Sequence, residues 1–268
     1  MAMQYSRFLT VFSFINVLLL FSFSTQLNAT ENQTVYQFES SYAIKSFRKA
    51  KKYLMNTYAD NKITFYCGCN FDGNKKINAE ECGFTARKNI KRGTRLEWEH
   101  IVPASRFGRP LQCWQQPESF EQCVKKNGKH ISGRKCCRKV NQKFRTMEAD
   151  MVNLVPAVGE LNGDRSNYRF SLIDGEKRRY GACDFEINRK AKTVEPAPWI
   201  RGDIARVYLY MSEKYGMPLT SEEITLFNRW ASNDPIDQWE LTKYERINSL
   251  LLTLESRQIN KQQFAADE

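Results

Sequence analysis

Two histidines occur in 268 residues, and one of them, His100, lies in the stretch LEWEHIVPASRFG, residues 96–108, directly behind Glu97, Trp98 and Glu99. An imidazole exchanges a proton near neutral pH, and a carboxylate beside it offers hard oxygen to a divalent cation. If the stretch is a strand, side chains alternate, so Glu97 and Glu99 share one face while Trp98 and His100 share the other. A twist or bulge at the strand end lets Glu99 and His100 still converge on one ligand. Hydrolysing a phosphodiester needs a deprotonated water in line with the leaving oxygen, a base matched to the working pH, and positive charge on the developing phosphorane. His100 supplies the base, and a cation on Glu99 with nearby basic side chains supplies the charge. On Glu-His-Ile alone, a structural histidine bonded to a carbonyl is the better reading, because so short a motif recurs by chance.

The elements that would carry these residues are mixed. Residues 40–60, SSYAIKSFRKAKKYLMNTYAD, place Ile44, Phe47, Ala50, Leu54 and Tyr58 at helical spacing behind a capping serine, which predicts an amphipathic helix. KITFYCGC alternates and predicts a strand with Cys67 and Cys69 on one face. Residues 109–145 are rich in cysteine and basic residues and predict a disulfide-pinned loop presenting positive charge. MVNLVPAV predicts a short strand, and GELNGDRSN after it a turn or helix start. A helix follows in APWIRGDIARVYLYMSEKYG, stopped by Gly216 before Met217-Pro218, then a second capped by Thr220 or Ser221 with Glu223 in its first turn. DPIDQWELTKYERINSLLLTL predicts a third, ahead of a polar tail. Strands and helices without regular alternation indicate an α+β fold.

Residues 1–29 contain one charge, Arg7, an apolar run from Phe8 to Phe23, and a small-residue end at Ala29. This is the order of a removed secretory signal, and the run is broken by Thr10, Ser13 and Asn16, which disfavours a membrane anchor. Residues 30–268 then fit one domain with short polar ends, without stable membrane association. All eight cysteines lie in that part, and an even count in an exported chain favours disulfides over zinc. Their connectivity stays open; short loops such as 67–82 or 113–136 are geometrically feasible. The 41 Lys and Arg against 30 Asp and Glu, a net charge of +11, attract polyanions without saying which.

The stretches FYCGC, EWEHIVPASRFG, QCW, SGRK, MEADMVNLVPAVGELNGDRSN, RGDIARVYLYM and LFNRWASNDPIDQWE follow one another across most of the chain. Taken together they resemble the bacterial endonuclease I family, secreted or periplasmic nucleases of the ββα-metal, or His-Me finger, superfamily. The resemblance implies a disulfide-stabilised α+β fold containing a ββα-metal finger, with His100 as base and Glu99 and Asn162 as metal ligands. Arg134 takes the position of an arginine on the scissile or product phosphate. Glu148 matches an acidic position near the site, there to orient His100 or to reach the metal through water; a surface ion pair is the plainer reading. Arg165 and Asn167 would brace the metal-bearing helix. Two oxygen ligands suit Mg²⁺, with Mn²⁺ or Ca²⁺ as replacements. The implied substrates are double-stranded DNA, with single-stranded DNA and RNA, cut to 5′-phosphate and 3′-hydroxyl ends by a monomer in the periplasm or outside the cell. Two departures stand out: the segment from Cys113 to Cys136 is longer than the resemblance implies and adds Cys123, and the cysteine implied near residues 237–240 is absent. At least one disulfide is therefore expected to be re-paired. A non-catalytic basic protein that binds polyanions accounts for charge and cysteines equally well but gives no reason for Glu99, His100 and Asn162 in these contexts; a metal-independent hydrolase, which EDTA resistance would support, is a third alternative.

Overall fold

A computed structural model describes residues 36–175 and 177–266; the expected signal, residues 1–29, lies outside them. In chain order the main elements are α1 (Phe47–Thr57), α2 (Ile90–Gly93), β1 (Leu96–His100), α3 (Ala104–Gly108), α4 (Gln112–Gln115), α5 (Gly133–Val140), α6 (Gln142–Glu148), β2 (Leu154–Val158), α7 (Gly159–Arg165), β3 (Arg169–Phe170), β4 (Phe185–Asn188), β5 (Thr193–Pro196), α8 (Arg201–Tyr215), α9 (Ser221–Asn233) and α10 (Gln238–Ala266). The fold is α+β, as expected, and all described residues fall in one compact unit. Among them no helix is long and apolar enough to cross a membrane.

β1 and β2 pair antiparallel, Leu96 opposite Val158 and His100 opposite Leu154. Every residue of β2 is buried, so its Leu-Val-Pro-Ala-Val run reads as a core strand with no polar face. Helix α7 leaves β2 without an intervening residue and folds back beside β1. Gly159 permits a close approach of α7 to α2: a Cβ there would lie 2.9 Å from the Arg92 carbonyl. A second sheet, in the order β3-β5-β4, follows the helix. Helices α8 and α9 close over the aromatic residues Phe170, Tyr208, Phe227 and Trp230, with the Tyr208 and Phe227 rings 4.4 Å apart. Gly216 ends α8 in the left-handed conformation at φ 66°, and Thr220 and Glu223 form the capping box of α9.

Local competition explains where the elements depart from the periodicity. Helix α1 starts at Phe47, capped by Ser46, and not near Ser40. The residues before it spend their polar groups on α10 instead: the Glu39 amide donates to Asn248, and the Ser41 amide to Glu255. Residues 62–69 form a tight turn, not a strand, with the Thr64 amide on the Cys69 carbonyl at 2.8 Å and Gly68 at φ 65°. Cys67 and Cys69 are drawn to different partners, Cys183 and Cys82, which an extended strand with both on one face would not allow. The expected loop at 109–145 is largely short helices, pinned by Cys113–Cys137 and Cys123–Cys136. Consecutive helical residues point about 100° apart, so adjacent Cys136 and Cys137 on α5 hold two separate points of the preceding segment. The expected polar tail is helical, because α10 continues to Ala266 through residues that favour helix even when fully solvated.

The four bridges close loops of very different length. Cys67–Cys183 spans 116 residues and Cys69–Cys82 only 13. On chain entropy, replacing the first pair by serine should cost about 5 kcal/mol and the second about 3 kcal/mol. Denaturant unfolding of the two double-serine variants checks the order; a larger loss from the short bridge would contradict it.

Candidate active site

The faces of β1 and α7 meet side chain to side chain. Glu97 and Glu99, two apart on the strand, face Asn162 and Arg165, three apart on the helix. The Asn162 amide Nδ2 donates to Glu97 Oε2 at 3.2 Å, and Arg165 Nη1 donates to Glu99 Oε1 at 3.0 Å. Glu97 is itself gripped by Arg92 and Arg95, whose hydrogen bonds outweigh its burial and hold its carboxyl below the ordinary range. The opposite side of α7 is pinned independently. Glu160 accepts the backbone amides of Arg87, Lys88 and Asn89, and Asp164 accepts from the Arg87 guanidinium and the Tyr180 hydroxyl. A helix of seven residues is marginal by itself, so these contacts are what fix Asn162 in place.

Arg165 is completely buried. Besides Glu99, it donates to the His100 carbonyl at 2.8 Å and the Ile101 carbonyl at 2.6 Å, with its guanidinium over the Phe170 ring. Glu99 also accepts from the Tyr66 hydroxyl and the His100 amide. Burial pushes the Glu99 carboxyl up from its usual range even though the Arg165 charge opposes the shift.

His100 is buried beside the Phe47 ring, 4.8 Å away, and its Nε2 lies 2.9 Å from the Glu148 backbone carbonyl. A carbonyl only accepts, so Nε2 carries the proton and Nδ1 of the neutral ring keeps its lone pair. Burial, assisted by the Arg134 charge, pushes the imidazole down to about 4, so it is neutral near pH 7. The Glu148 carboxylate turns the other way and is almost wholly buried. It accepts from Arg134 Nε at 2.7 Å and from Arg138 Nε at 2.7 Å, and these bonds overcome burial to hold it below the ordinary range. One residue thus orients the histidine through its backbone and two arginines of α5 through its side chain.

Glu99, His100, Arg134 and Asn162 line one cleft of about 540 Å³; Glu148 stands behind it and is not part of the wall. Ser166 also lines the cleft, at φ 54° and ψ −113°, a conformation that costs a non-glycine residue on the order of 1–3 kcal/mol. The sequence profile named Endonuclease I matches residues 20–252. The chain is 42% identical over 231 residues to a periplasmic deoxyribonuclease of Aeromonas hydrophila, covering 85% of this chain and 86% of the relative. An extracellular deoxyribonuclease of the same organism is 43% identical over 77% of this chain and 85% of its own length. Endonuclease-1 of Buchnera aphidicola from Acyrthosiphon pisum is 37% identical over 76% of each chain.

The chain belongs to the endonuclease I family. It is a secreted endonuclease, periplasmic or extracellular like these relatives. Family membership makes a metal the natural question, and the donors present fit one of a particular kind. Among the described residues, no three acidic, histidine or cysteine side chains gather into a cage. What the endonuclease offers instead is Glu99, with three donors on about four carboxylate lone-pair positions, and Asn162, whose Nδ2 is committed to Glu97 so that Oδ1 is left as the free donor atom of the amide. Two protein oxygens with water and phosphate completing the shell suit Mg²⁺, which dehydrates reluctantly.

Several contributors to this endonuclease site were not read as such in the sequence: Glu97 as the anchor of Asn162, Arg138 beside Arg134, Phe47 against His100, and the reach of Arg165. The pattern that could have shown the first and last is two acids at i, i+2 on a strand facing an amide and a cation at i, i+3 on a helix. Removing Arg165 leaves Glu99 buried without its cation, so Arg165→Leu should lower stability by about 3–5 kcal/mol. Urea unfolding measures this; a loss below about 1 kcal/mol, the range of an exposed ion pair, would contradict the clamp.

Proposed function

We propose that this endonuclease hydrolyses DNA, and RNA by the same chemistry, as a Mg²⁺-dependent enzyme with a ββα-metal finger formed by β1, β2 and α7. The reading rests chiefly on one observation: His100 is held with Nε2 on the Glu148 carbonyl in the same cleft as Glu99 and Asn162. That leaves Nδ1 to take a proton from water as the water oxygen bonds to phosphorus. The P–O3′ bond breaks, leaving a 5′-phosphate and, once the departing oxygen is protonated, a 3′-hydroxyl. Arg134, held by Glu148, presents its remaining guanidinium hydrogens to the phosphate oxygens, where a planar fork suits bidentate contact. Glu99 and Asn162 would hold the Mg²⁺, which supplies charge stabilisation to the phosphate and leaving oxygen; Mn²⁺ or Ca²⁺ can occupy the same oxygens. The groups that face the cleft recognise phosphate and not base edges, so little sequence preference is expected. One chain carries every group named, so a monomer suffices.

Purified protein lacking residues 1–29 should degrade plasmid DNA with Mg²⁺ and stop when EDTA is added. His100→Ala should lose about 10²–10⁴-fold in rate while keeping the wild-type circular dichroism spectrum; cleavage at the wild-type rate would remove His100 as the base. DNA retardation without cleavage under every divalent metal would support a binding protein instead. Glu97→Ala should release the Asn162 amide and raise the Mg²⁺ concentration for half-maximal activity by about 10–100-fold, the usual effect of losing a group that orients a ligand. An unchanged metal requirement would mean that Glu97 serves the fold alone.

A further inference from the structure

The cleft does not end at the catalytic residues. A second cavity of about 300 Å³, at the small end of the ligand-site range, opens beside it and shares Pro103, Ser105, Arg109 and Asn167 with its wall. Three cationic residues line this second space, and their situations differ. Arg106 is spent: it donates to the Pro218 carbonyl and pairs at 2.6 Å with Glu223, the one acid in the wall, which also caps α9. Arg109 and Arg169 are exposed, and among the described residues neither guanidinium has an ion-pair or hydrogen-bond partner. That sets them apart from Arg87, Arg92, Arg134, Arg165, Arg201 and Arg206, which are all held by carboxylates. Arg169 sits on a firm base, because β3 pairs with β5 and its neighbour Phe170 is buried in the core.

The connection between the cavities is the strained turn at Ser166. Its backbone, at φ 54° and ψ −113°, reverses the chain directly after Asn162 and Arg165. Asn167 thereby reaches both cavities, and Tyr168 and Arg169 line the second. A residue held in such a conformation beside an active site is more economically explained by what it positions than by the fold, which glycine would serve without strain.

We infer that the second cavity is a subsite for the nucleic-acid strand beyond the scissile linkage, in which Arg109 and Arg169 take a neighbouring backbone phosphate and the half-buried Tyr168 ring borders the adjoining sugar and base. This rests on the nuclease reading above and extends it from the reacting phosphate to the strand that carries it. Two partnerless guanidiniums around one cavity are opposite in sign to a phosphodiester and offer its two free oxygens planar donor forks, and an aromatic wall matches a nucleotide face without regard to its identity.

The test measures binding of a fluorescein-labelled 12-nucleotide single strand by anisotropy, in EDTA so that no cleavage occurs, between roughly 50 and 200 mM salt. The Arg109→Gln/Arg169→Gln double variant should show a slope of log K against log salt shallower by about 0.7, the contribution of the one single-strand phosphate that is no longer neutralised. Arg229→Gln/Arg257→Gln is the control: it removes the same charge from exposed positions on α9 and α10 that line neither cavity, and its slope should match the wild type. An unaltered slope in the first variant, or equal reductions in both, would overturn the subsite. A wild-type protein that binds with the steeper slope yet never cuts with Mg²⁺ would overturn the nuclease reading and leave the subsite standing.

Discussion

The arrangement depends on one buried cation. Arg165 lies at the end of α7, out of contact with water, and its guanidinium joins the Glu99 carboxylate to the carbonyls of His100 and Ile101. It therefore holds the last turn of the helix against the last residues of the strand, the two places from which the site is built. A fully buried guanidinium is costly unless its hydrogens are taken up, and a buried carboxylate equally so unless it is paired. The two together fix the helix position more narrowly than apolar packing would, since a shift of either element strands a charge. Asn162 and Glu97, one turn and one pleat away, repeat the contact closer to solvent.

Charge is distributed by the same logic. The acids near the cleft are each occupied: Glu97 by Arg92 and Arg95, Glu99 by Arg165, Glu148 by Arg134 and Arg138, and Asp164 by Arg87. At the rim Arg134 keeps part of its guanidinium exposed, and among the described residues Arg109 is paired with no acid. A cleft of this kind draws in a polyanion while keeping its own carboxylates from repelling it. His100 is neutral near pH 7 because Phe47 and the surrounding core bury it and the Arg134 charge disfavours a second positive charge, against the opposing pull of Glu148, whose carboxylate faces the arginines.

Much of this was legible in the sequence, and the boundary has a physical cause. β1, β2, α8 and α9 follow from signals within a few residues of one another: a polar-apolar alternation, an apolar run, a capping box, a glycine stop. His100, Glu99, Arg134 and Asn162 were named from ordered motifs, and the fold brings all four to one cleft. What the sequence concealed is settled by partners far along the chain. Cys67 and Cys69 look like one face of a strand until one is bonded to Cys183 and the other to Cys82. Residues 40–46 look helical until the Ser41 amide bonds to Glu255 of α10. Arg165 reads as a helix brace, and nothing local shows that it is buried completely or that its acid lies 66 residues earlier. The positive φ of Ser166 leaves no trace in its residue type at all.

The proposed chemistry turns on His100 being a neutral base whose Nε2 proton is committed to the Glu148 carbonyl, leaving Nδ1 to the water. With only His100 and His130 in the chain, ¹⁵N-histidine labelling gives a spectrum of two residues, which the His100→Ala protein assigns. At pH 7 the His100 ring should be neutral, with its hydrogen on Nε2 and an unprotonated Nδ1. An imidazolium at that pH, or a ring with its hydrogen on Nδ1, would contradict it.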